Sequence, residues 1–338
     1  MKRPASNRFL CALIGFVLLA FTSGLSKAVA ADKLIGIHSA RVMSQSMPWI
    51  AQEAGLFAKH GLDFQLVYIA SSGMVTAAML GGDAEMSLTG GVGNVRAFAQ
   101  GATDLVFVAG VKNVMTQSIV AGGGIKTPED LKGKKIGVSR IGSNTHYFTI
   151  QALRGYGIEA GRDFTFIQTG GDPETFAALV AGGIDAATVT APTDAKAIAL
   201  GYRYVIYGPD LRIPYAATVF VTRRAVIAKR EAVVGRFLRA MAEAAKIMHT
   251  DREFVYKVLG KQLRVTDRKV LDSAYNAEIK ALEPRLVLRA EALQAILEEV
   301  AQVDSRARKI KPEELVDRRY LDEMEKGGFF DQLWAAKR

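Results

Sequence analysis

A repeated pattern, in which a short apolar strand ends in small hydrogen-bonding residues and a helix follows, constrains the fold of this chain most strongly. Its clearest copy has the apolar segment Lys135–Val138, then a Gly-Ser-Asn-Thr sequence at 142–145, and a helical segment over 144–154. Such a helix start presents unpaired backbone N–H groups and hydroxyls, which suit an anion or a polar ligand group. Serine and threonine are also preferred N-cap residues, so ordinary helix capping is the alternative interpretation.

The same alternation runs through most of the chain. From about residue 229 onward, apolar residues spaced three and four apart predict helices instead. Strands that alternate with helices over short connections predict an α/β fold, with a largely parallel sheet and helices on both faces. The predicted strands are 33–37, 64–69, 84–88, 105–109, 117–121, 135–138, 164–168, 186–189, 204–207 and 217–221.

A weak internal repeat at an offset of one hundred residues indicates two similar lobes. Residues 77–85 (AAMLGGDAE) parallel residues 177–185 (AALVAGGID), each with a short helix, a glycine stop and an acidic residue. We therefore expect lobe 1 to comprise residues 31–119 and 220–338, and lobe 2 to comprise residues 120–219. The crossings between the lobes, predicted near 117–124 and 217–221, would form a two-strand hinge.

The carboxyl ends of the predicted strands define the candidate site. In open α/β sheets ligands bind beyond these ends, so two facing lobes would enclose a cleft for a small polar molecule. One such end is an ordinary cap, whereas six ends of this composition indicate ligand binding. In lobe 1 they contain Ser39, then Ser71, Ser72 and Gly73, then Thr89 and Gly90; in lobe 2 they contain Gly142, Ser143, Asn144 and Thr145, then residues 169–171, then Thr190.

No catalytic or metal-binding motif accompanies these strand ends. The four histidines lack HxH or HExxH spacing, and the sequence has no GxSxG or Walker motif. The single cysteine, Cys11, lies in the N-terminal apolar run and would be absent from a mature protein. We therefore expect neither catalytic residues nor a cofactor nor a bound metal.

The first thirty residues have the layout of a secretory signal peptide. Basic residues precede an apolar run over 9–21, and Ala28-Val29-Ala30 offers a small-residue cleavage site. Cleavage would remove four positive charges and no acids, so the formal net charge would fall from +10 to +6. The remaining basic runs have acidic neighbours and no interleaved aromatics, which favours a solvated surface over a nucleic-acid-binding patch. These features predict an exported, soluble protein.

Several segments resemble one known protein family. In order and composition they resemble the periplasmic solute-binding proteins of ABC importers, in the nitrate/sulfonate/taurine (NMT1/THI5-like) group. The resemblance covers roughly residues 33–225 and implies a type II periplasmic-binding fold, in which two α/β lobes clamp a ligand between them. The matching segments are PWIAQEAGLF at 48–57, HGLD at 60–63, residues 78–85, IKTPEDLKGKKIGV at 125–138 with 142–145, residues 182–187 and Pro192.

The resemblance also assigns roles to residues of this chain. The strand ends at 71–73 and 89–90 would hold the ligand from lobe 1. Residues 142–145 would bind its anionic or polar head from lobe 2, and Thr190 and Pro192 would complete the wall.

Four larger side chains are candidates for ligand selectivity. Arg41 could pair with a sulfonate or carboxylate, or it could be a solvated loop arginine. Trp49, Tyr147 and Tyr215 could contact the ligand, although Trp49 and Tyr147 are of a type that more often packs in the lobe core.

The family implies a monomeric, non-enzymatic periplasmic protein that delivers its ligand to the membrane permease of an ABC importer. The ligand would be a small polar, anionic organic molecule of the sulfonate, taurine, carboxylate or pyrimidine class. A sensor or adaptor that presents the ligand to a kinase or to another transporter is an alternative. Enzymes that make the thiamine pyrimidine share the fold but carry a cysteine-rich motif and key histidines that this sequence lacks.

Overall fold

Two five-stranded sheets form the framework of the computed structural model, which describes residues 30–335. The predicted signal peptide lies outside the described residues, except for Ala30. The first sheet contains β1 (Asp32–His38), β2 (Leu62–Tyr68), β3 (Met86–Thr89), β4 (Leu105–Val114) and β10 (Pro214–Arg223). The second sheet contains β5 (Ser118–Ala121), β6 (Lys135–Val138), β7 (Thr165–Gln168), β8 (Ala186–Val189) and β9 (Arg203–Ile206).

Both sheets are built on the same plan. The first has the order β2-β1-β3-β10-β4 and the second has the order β7-β6-β8-β5-β9. In each sheet the first three strands are parallel, and the fourth strand pairs antiparallel with both of its neighbours. This correspondence confirms the prediction of two α/β lobes. The repeated segments 77–85 and 177–185 occupy equivalent positions, immediately before β3 and β8.

The chain passes between the two sheets at 115–117 and 207–213. β4 continues to Val114, well beyond the strand predicted at 105–109, and β5 begins at Ser118. The expected lobe boundaries at 119/120 and 219/220 therefore fall inside β5 and β10. The hinge segments expected at 117–124 and 217–221 are largely strands within the sheets, because their β-branched residues pair in the ladder instead of spanning the lobes.

Helices cover the outer faces of the sheets, and none in the described part of the chain is long and apolar enough to cross a lipid bilayer. The segment predicted as a helix at 144–154 is confirmed. The α-helices are α1 (Met47–Glu53), α2 (Leu56–Lys59), α3 (Ser72–Gly81), α4 (Val92–Ala99), α5 (Asn144–Arg154), α6 (Asp172–Val180), α7 (Thr193–Ala199), α8 (Arg224–Thr250), α9 (Arg252–Leu263), α10 (Arg268–Glu278), α11 (Ala290–Val303), α12 (Arg319–Lys326) and α13 (Phe329–Trp334). Short 3₁₀ helices lie at Met43–Gln45, Pro128–Leu131, Gly208–Asp210, Ile279–Ala281, Ser305–Lys309 and Pro312–Leu315.

The long helix α8 anchors the helical C-terminal part of the chain to the first lobe. Its Phe237 is buried, and the ring centroid lies 5.3 Å from that of Phe64 and 5.4 Å from that of Phe220. Phe57 stacks on Phe64 at 4.4 Å. Full burial of a phenylalanine contributes about 1.5–3 kcal/mol, and Phe57, Phe220 and Phe237 are buried while Phe64 is partly buried, so this aromatic cluster helps to fix the first sheet against α8.

Gly110 in β4 is a point of close backbone approach in lobe 1. A β-carbon there would lie 2.6 Å from the Val287 carbonyl oxygen and 2.7 Å from Leu288 Cα. We therefore expect Gly110→Ala to lower the free energy of unfolding by about 1–3 kcal/mol, measured by urea denaturation. The matched control is Gly155→Ala, where a β-carbon would meet a single atom at 4.0 Å. Equal stabilities of the two variants would contradict this explanation.

Candidate ligand-binding site

A cavity of about 50 Å³ lies between the two sheets, with room for a few water-sized groups. We call it the central cavity. From the first lobe it is lined by Ser39, Ala40, Val42, Ser44, Gln45, Ser71, Ser72, Lys112, Ala217 and Thr218. From the first crossing segment and the second lobe it is lined by Gln117, Ser139, Ser143, Asn144, Thr145, Gly171, Asp172 and Thr190.

The central cavity lies at the carboxyl ends of the parallel strands, where the sequence predicted a site. Five of the six predicted strand ends contribute at least one lining residue. Their participation in ligand binding stays a prediction. The predicted site residues that line the cavity are Ser39, Ser71, Ser72, Ser143, Asn144, Thr145 and Thr190.

Three predicted site residues of the first lobe do not line the cavity. Thr89 is fully buried because it belongs to β3 and pairs with β10. A β-carbon on Gly90 would lie 2.2 Å from Asn144 Oδ1, so this glycine gives space to a side chain of the other lobe. Gly73 lies in the first turn of α3, beyond the residues that face the cavity.

Three further predicted site residues also lie elsewhere. Gly142 has a φ of 81°, a conformation that favours glycine, and it lies against the Arg96 guanidinium. Arg41 and Pro192 line a separate cavity near the central one. Each lies three residues beyond the end of its strand, β1 for Arg41 and β8 for Pro192, which carries it past the central cavity.

The aromatic candidates for selectivity pack against other side chains. Trp49 is buried in α1, with its ring edge-on to His38 at 5.4 Å between centroids. Tyr147 and Tyr215 stack on each other across the lobes at 4.5 Å. Core packing, the alternative for Trp49 and Tyr147, therefore describes both of them, and Tyr215 is buried as well. None of the three lines the central cavity.

Three helices begin at the central cavity. The first residues of α3, α5 and α6 are Ser72, Asn144 and Asp172, and all three line the cavity. The first backbone N–H groups of a helix have no acceptor within the helix, and the helix dipole makes this end partially positive. The arrangement therefore attracts anions and hydrogen-bond acceptors to the cavity from both lobes.

Ser71, at the start of α3, combines backbone strain with an unsatisfied hydroxyl. Its φ of 80° and ψ of 136° are rarely adopted by a residue with a side chain. Its Oγ and that of Ser72 are buried and have no hydrogen-bond partner within residues 30–335. Buried hydroxyls without partners are unfavourable, so these two atoms are candidates for contact with a bound molecule.

Two amide side chains add further unsatisfied acceptors on the opposite side. Gln117 Oε1 and Asn144 Oδ1 are buried and lack partners in the described part of the chain. Asn144 Nδ2 donates to the Ala217 carbonyl oxygen at 2.7 Å, which joins α5 of the second lobe to β10 of the first. Asn144 therefore links the lobes and is one of the residues that line the cavity.

The hydroxyls of Ser139, Ser143 and Thr145 form a closed triangle. Ser139 Oγ lies 2.9 Å from Ser143 Oγ and 3.0 Å from Thr145 Oγ1, and the latter two are 3.0 Å apart. Ser143 Oγ also accepts the His146 amide at 3.4 Å, so the residue caps α5. The capping interpretation is therefore confirmed. The stretch also lines the central cavity, and ligand binding by it stays a prediction.

Gln45 positions the first strand end, a role that the sequence did not predict. Its Oε1 accepts the amides of Ser39 and Ala40 at 2.9 Å each, and its Nε2 donates to Ser39 Oγ at 2.9 Å. This role was hard to predict because Gln45 lies in a 3₁₀ helix several residues beyond β1.

The central cavity also contains a cation and an anion that the sequence did not predict. Lys112 Nζ is buried and donates to Glu278 Oε2 at 2.9 Å and to Thr116 Oγ1 at 2.5 Å. Asp172 Oδ2 accepts the Thr190 amide at 2.7 Å, and burial raises the pKa of Asp172 to about 6. Asp172 follows the predicted Thr-Gly-Gly strand end directly, which is the signal that could have identified it.

The histidines do not contribute to the cavity. Burial lowers the pKa of His38 and of His146 to about 4, so both rings are neutral at physiological pH. Within residues 30–335 there is no group of three acidic, histidine or cysteine side chains that could hold a metal ion.

The sequence comparison identifies the family. The model of the NMT1/THI5-like family matches residues 46–253, and the chain belongs to this family. The taurine-binding periplasmic protein of Escherichia coli (strain K12) is 32% identical over 145 residues. This match covers 42% of the chain and 44% of the relative, so the matched part spans less than half of the relative's length.

Solved structures share the fold. The alkanesulfonate-binding protein SsuA from Xanthomonas axonopodis pv. citri, bound to MOPS, has a TM-score of 0.71 at 20% identity and covers 86% of this chain and 98% of that chain. The desulfurization enzyme DSZB has a TM-score of 0.67 at 15% identity and covers 88% of this chain and 99% of that chain. The predicted periplasmic-binding fold is therefore confirmed, and the same fold also occurs in an enzyme.

We expect Ser71→Gly to raise the melting temperature and to weaken ligand binding. Glycine relieves the unfavourable φ of 80°, a strain of about 1–3 kcal/mol, but it removes the buried hydroxyl. Ser71→Ala is the control, because it removes the hydroxyl and keeps the strain. Thermal unfolding and calorimetric titration of both variants with the ligand found by screening test this. A glycine variant less stable than the alanine variant would argue against backbone strain at this position.

Proposed function

We propose that this protein is an extracytoplasmic solute-binding protein that captures a small polar, anionic organic molecule for an ABC importer. The observation that carries the proposal is the set of unsatisfied buried polar atoms of Ser71, Ser72, Gln117 and Asn144 around one interlobe cavity. These residues come from both lobes and from the segment between them. The Ser71 and Ser72 hydroxyls can donate to an anionic group, whereas the Gln117 and Asn144 amide oxygens would accept from an N–H or O–H group of the same molecule. A ligand that made both kinds of contact would satisfy both lobes at once and would favour their closed arrangement.

The donors at the central cavity support an anionic group. Three helix N-termini and several hydroxyls surround the space, and hydrogen bonds to an ionised acceptor are stronger than those to a neutral one. The cavity holds only a few water-sized groups, which suits the sulfonate or carboxylate head of a molecule rather than the whole of it.

The relatives support the same ligand class. One is named as a taurine-binding periplasmic protein, and a structural neighbour is named as an alkanesulfonate-binding protein. We therefore propose the sulfonate and taurine class first, with carboxylates and pyrimidines as further members of the screen. A periplasmic location, a cleaved signal peptide, a monomeric state and delivery to a membrane permease belong to the same proposal.

We propose binding rather than catalysis for the central cavity. The enzyme DSZB shares the fold, so the fold does not decide this question. The ionisable lining residues are Asp172 and Lys112, whose ammonium group is paired with the Glu278 carboxylate, and the lining has neither histidine nor cysteine to form an activated nucleophile. A chemically unchanged ligand, recovered after unfolding of the complex, is the expected result.

We expect a sulfonate or carboxylate to raise the melting temperature in a panel that also contains nitrate and pyrimidines. A ligand at one hundred times its dissociation constant stabilises the folded state by about 2.7 kcal/mol. Ser72→Ala should weaken that ligand about tenfold or more in calorimetry, because it loses a hydrogen bond to a charged group. Ser273→Ala, on the exposed surface of α10, is the matched control. An unchanged affinity of Ser72→Ala would remove the central cavity as the binding site.

Asp172 should separate taurine from simple alkanesulfonates. Asparagine keeps an acceptor for the Thr190 amide but removes a negative charge, so Asp172→Asn should strengthen ethanesulfonate binding and weaken taurine, whose ammonium group favours a carboxylate. The wild-type affinity for ethanesulfonate should rise as the pH falls through about 6, where Asp172 takes up a proton. Calorimetry between pH 5 and about 8 checks both points. The same pH dependence in Asp172→Asn would assign the effect to another group.

A further inference from the structure

A second cavity of about 260 Å³ lies beside the lobe interface and has a different chemical character. We call it the basic cavity. It brings together the loop after β1, the segments that begin α6 and α7, and the end of α9. Its lining residues are Arg41, Pro173, Pro192, Thr193, Lys196, Gln262, Leu263 and Arg264.

The lining of the basic cavity contains three cationic side chains and no acidic one. Lys196 is partly buried, and burial lowers the pKa of its ammonium group. Its Nζ lies 3.4 Å from the Leu263 carbonyl oxygen, a neutral acceptor from another part of the chain. A half-buried ammonium group without a nearby carboxylate is unfavourable unless an anion approaches it.

Arg41 is held at the edge of this cavity by an aromatic ring. Its guanidinium carbon lies 4.7 Å from the centre of the Tyr68 ring. Stacking on a ring face leaves the N–H groups at the rim of the guanidinium free to bind an oxyanion. Arg264 is exposed and follows α9 directly. The three cations therefore come from separate segments that only the tertiary fold brings together.

The basic cavity and the central cavity are lined by neighbouring residues on three segments. Ala40 lines the central cavity and Arg41 lines the basic one. Likewise, Asp172 lines the central cavity and Pro173 lines the basic one. On the third segment, Thr190 and Pro192 have the corresponding positions. The two cavities therefore lie beside each other along these three segments.

We propose that the basic cavity binds a second anionic group of the ligand whose first polar group occupies the central cavity. The preferred ligands would then be small dianions, such as disulfonates, sulfocarboxylates or dicarboxylates, and this inference rests on the proposed function. Arg41, Lys196 and Arg264 would form the recognition set for the second anion.

The test compares a dianion with a monoanion of the same carbon skeleton. Calorimetry measures ethane-1,2-disulfonate and ethanesulfonate on the wild-type protein, on Arg41→Gln/Lys196→Gln and on Ser72→Ala. We expect the disulfonate to bind more tightly than ethanesulfonate. The double variant should weaken the disulfonate by about tenfold or more and leave ethanesulfonate nearly unchanged. Ser72→Ala should weaken both.

Two further variants control for a general loss of positive charge and for unfolding of the double variant. Lys229→Gln/Lys326→Gln removes the same number of charges from exposed positions on α8 and α12 and should change neither affinity. Arg264→Gln, at an exposed position, is the second variant if the double variant of the basic cavity loses its thermal transition. It should also weaken the disulfonate selectively.

The outcomes separate the two proposals. If Ser72→Ala weakens both sulfonates and the basic-cavity variants weaken neither selectively, only the inference about the basic cavity is overturned. If Ser72→Ala leaves both affinities unchanged, or neither compound binds the wild type, the proposed function fails and the inference fails with it. If inorganic sulfate binds as tightly as the disulfonate and depends on the same cations, the cavity is a free-anion site and the two-group ligand is refuted.

Discussion

Backbone N–H groups at the start of a helix need acceptors, and this requirement shapes the region between the two lobes. α5 receives one acceptor from its own cap, since Ser143 Oγ accepts the His146 amide. At α6 the Glu174 carboxylate accepts the Gly171 amide at 3.0 Å. α3 has no side-chain cap, and its N-cap residue, Ser71, is strained with an unsatisfied hydroxyl. The backbone N–H groups at the start of α3, in the first lobe, can therefore donate only to a bound molecule or to solvent.

The glycines at the strand ends have a structural role that follows from the same geometry. Gly90 makes room for the Asn144 side chain, and a β-carbon on Gly171 would lie 2.5 Å from the Tyr68 hydroxyl oxygen. In each case a side chain of one lobe rests on the backbone of the other. Together with the hydrogen bond from Asn144 to Ala217, these contacts hold the lobes close and leave a central cavity of about 50 Å³. Small residues at these ends thus permit closure as well as ligand approach.

The small, hydrogen-bonding residues at the strand ends could be predicted because they are consecutive in the sequence, and such a local pattern does not depend on tertiary contacts. Ser71, Ser72 and Asn144 belong to this class. Lys112 was missed because the apolar run of β4 was expected to end at residue 109, and only tertiary packing extends it to the cavity. Gln45 was missed for a related reason, since its contacts with Ser39 depend on a turn that composition does not reveal. The segments that cross between the lobes were misplaced because the strand propensity of residues 217–221 is the same in a hinge and in a central strand of a sheet.

Charge is distributed unevenly along the interlobe region. Lys112 is matched by the Glu278 carboxylate, so the pair contributes little net charge to the central cavity, whereas Asp172 adds a partly compensated negative one. The unmatched cations, Arg41 and Lys196, lie in the adjacent basic cavity. A molecule with charges at both ends would therefore meet different potentials at the two ends, and a single orientation would be favoured. The sequence left Arg41 open between an anion contact and a solvated loop position, and the structure places its side chain at the basic cavity and not at the central one. Selectivity would then depend on the length and charge of the ligand beyond its first polar group. The helix starts would attract the first polar group, which all candidate ligands have in common.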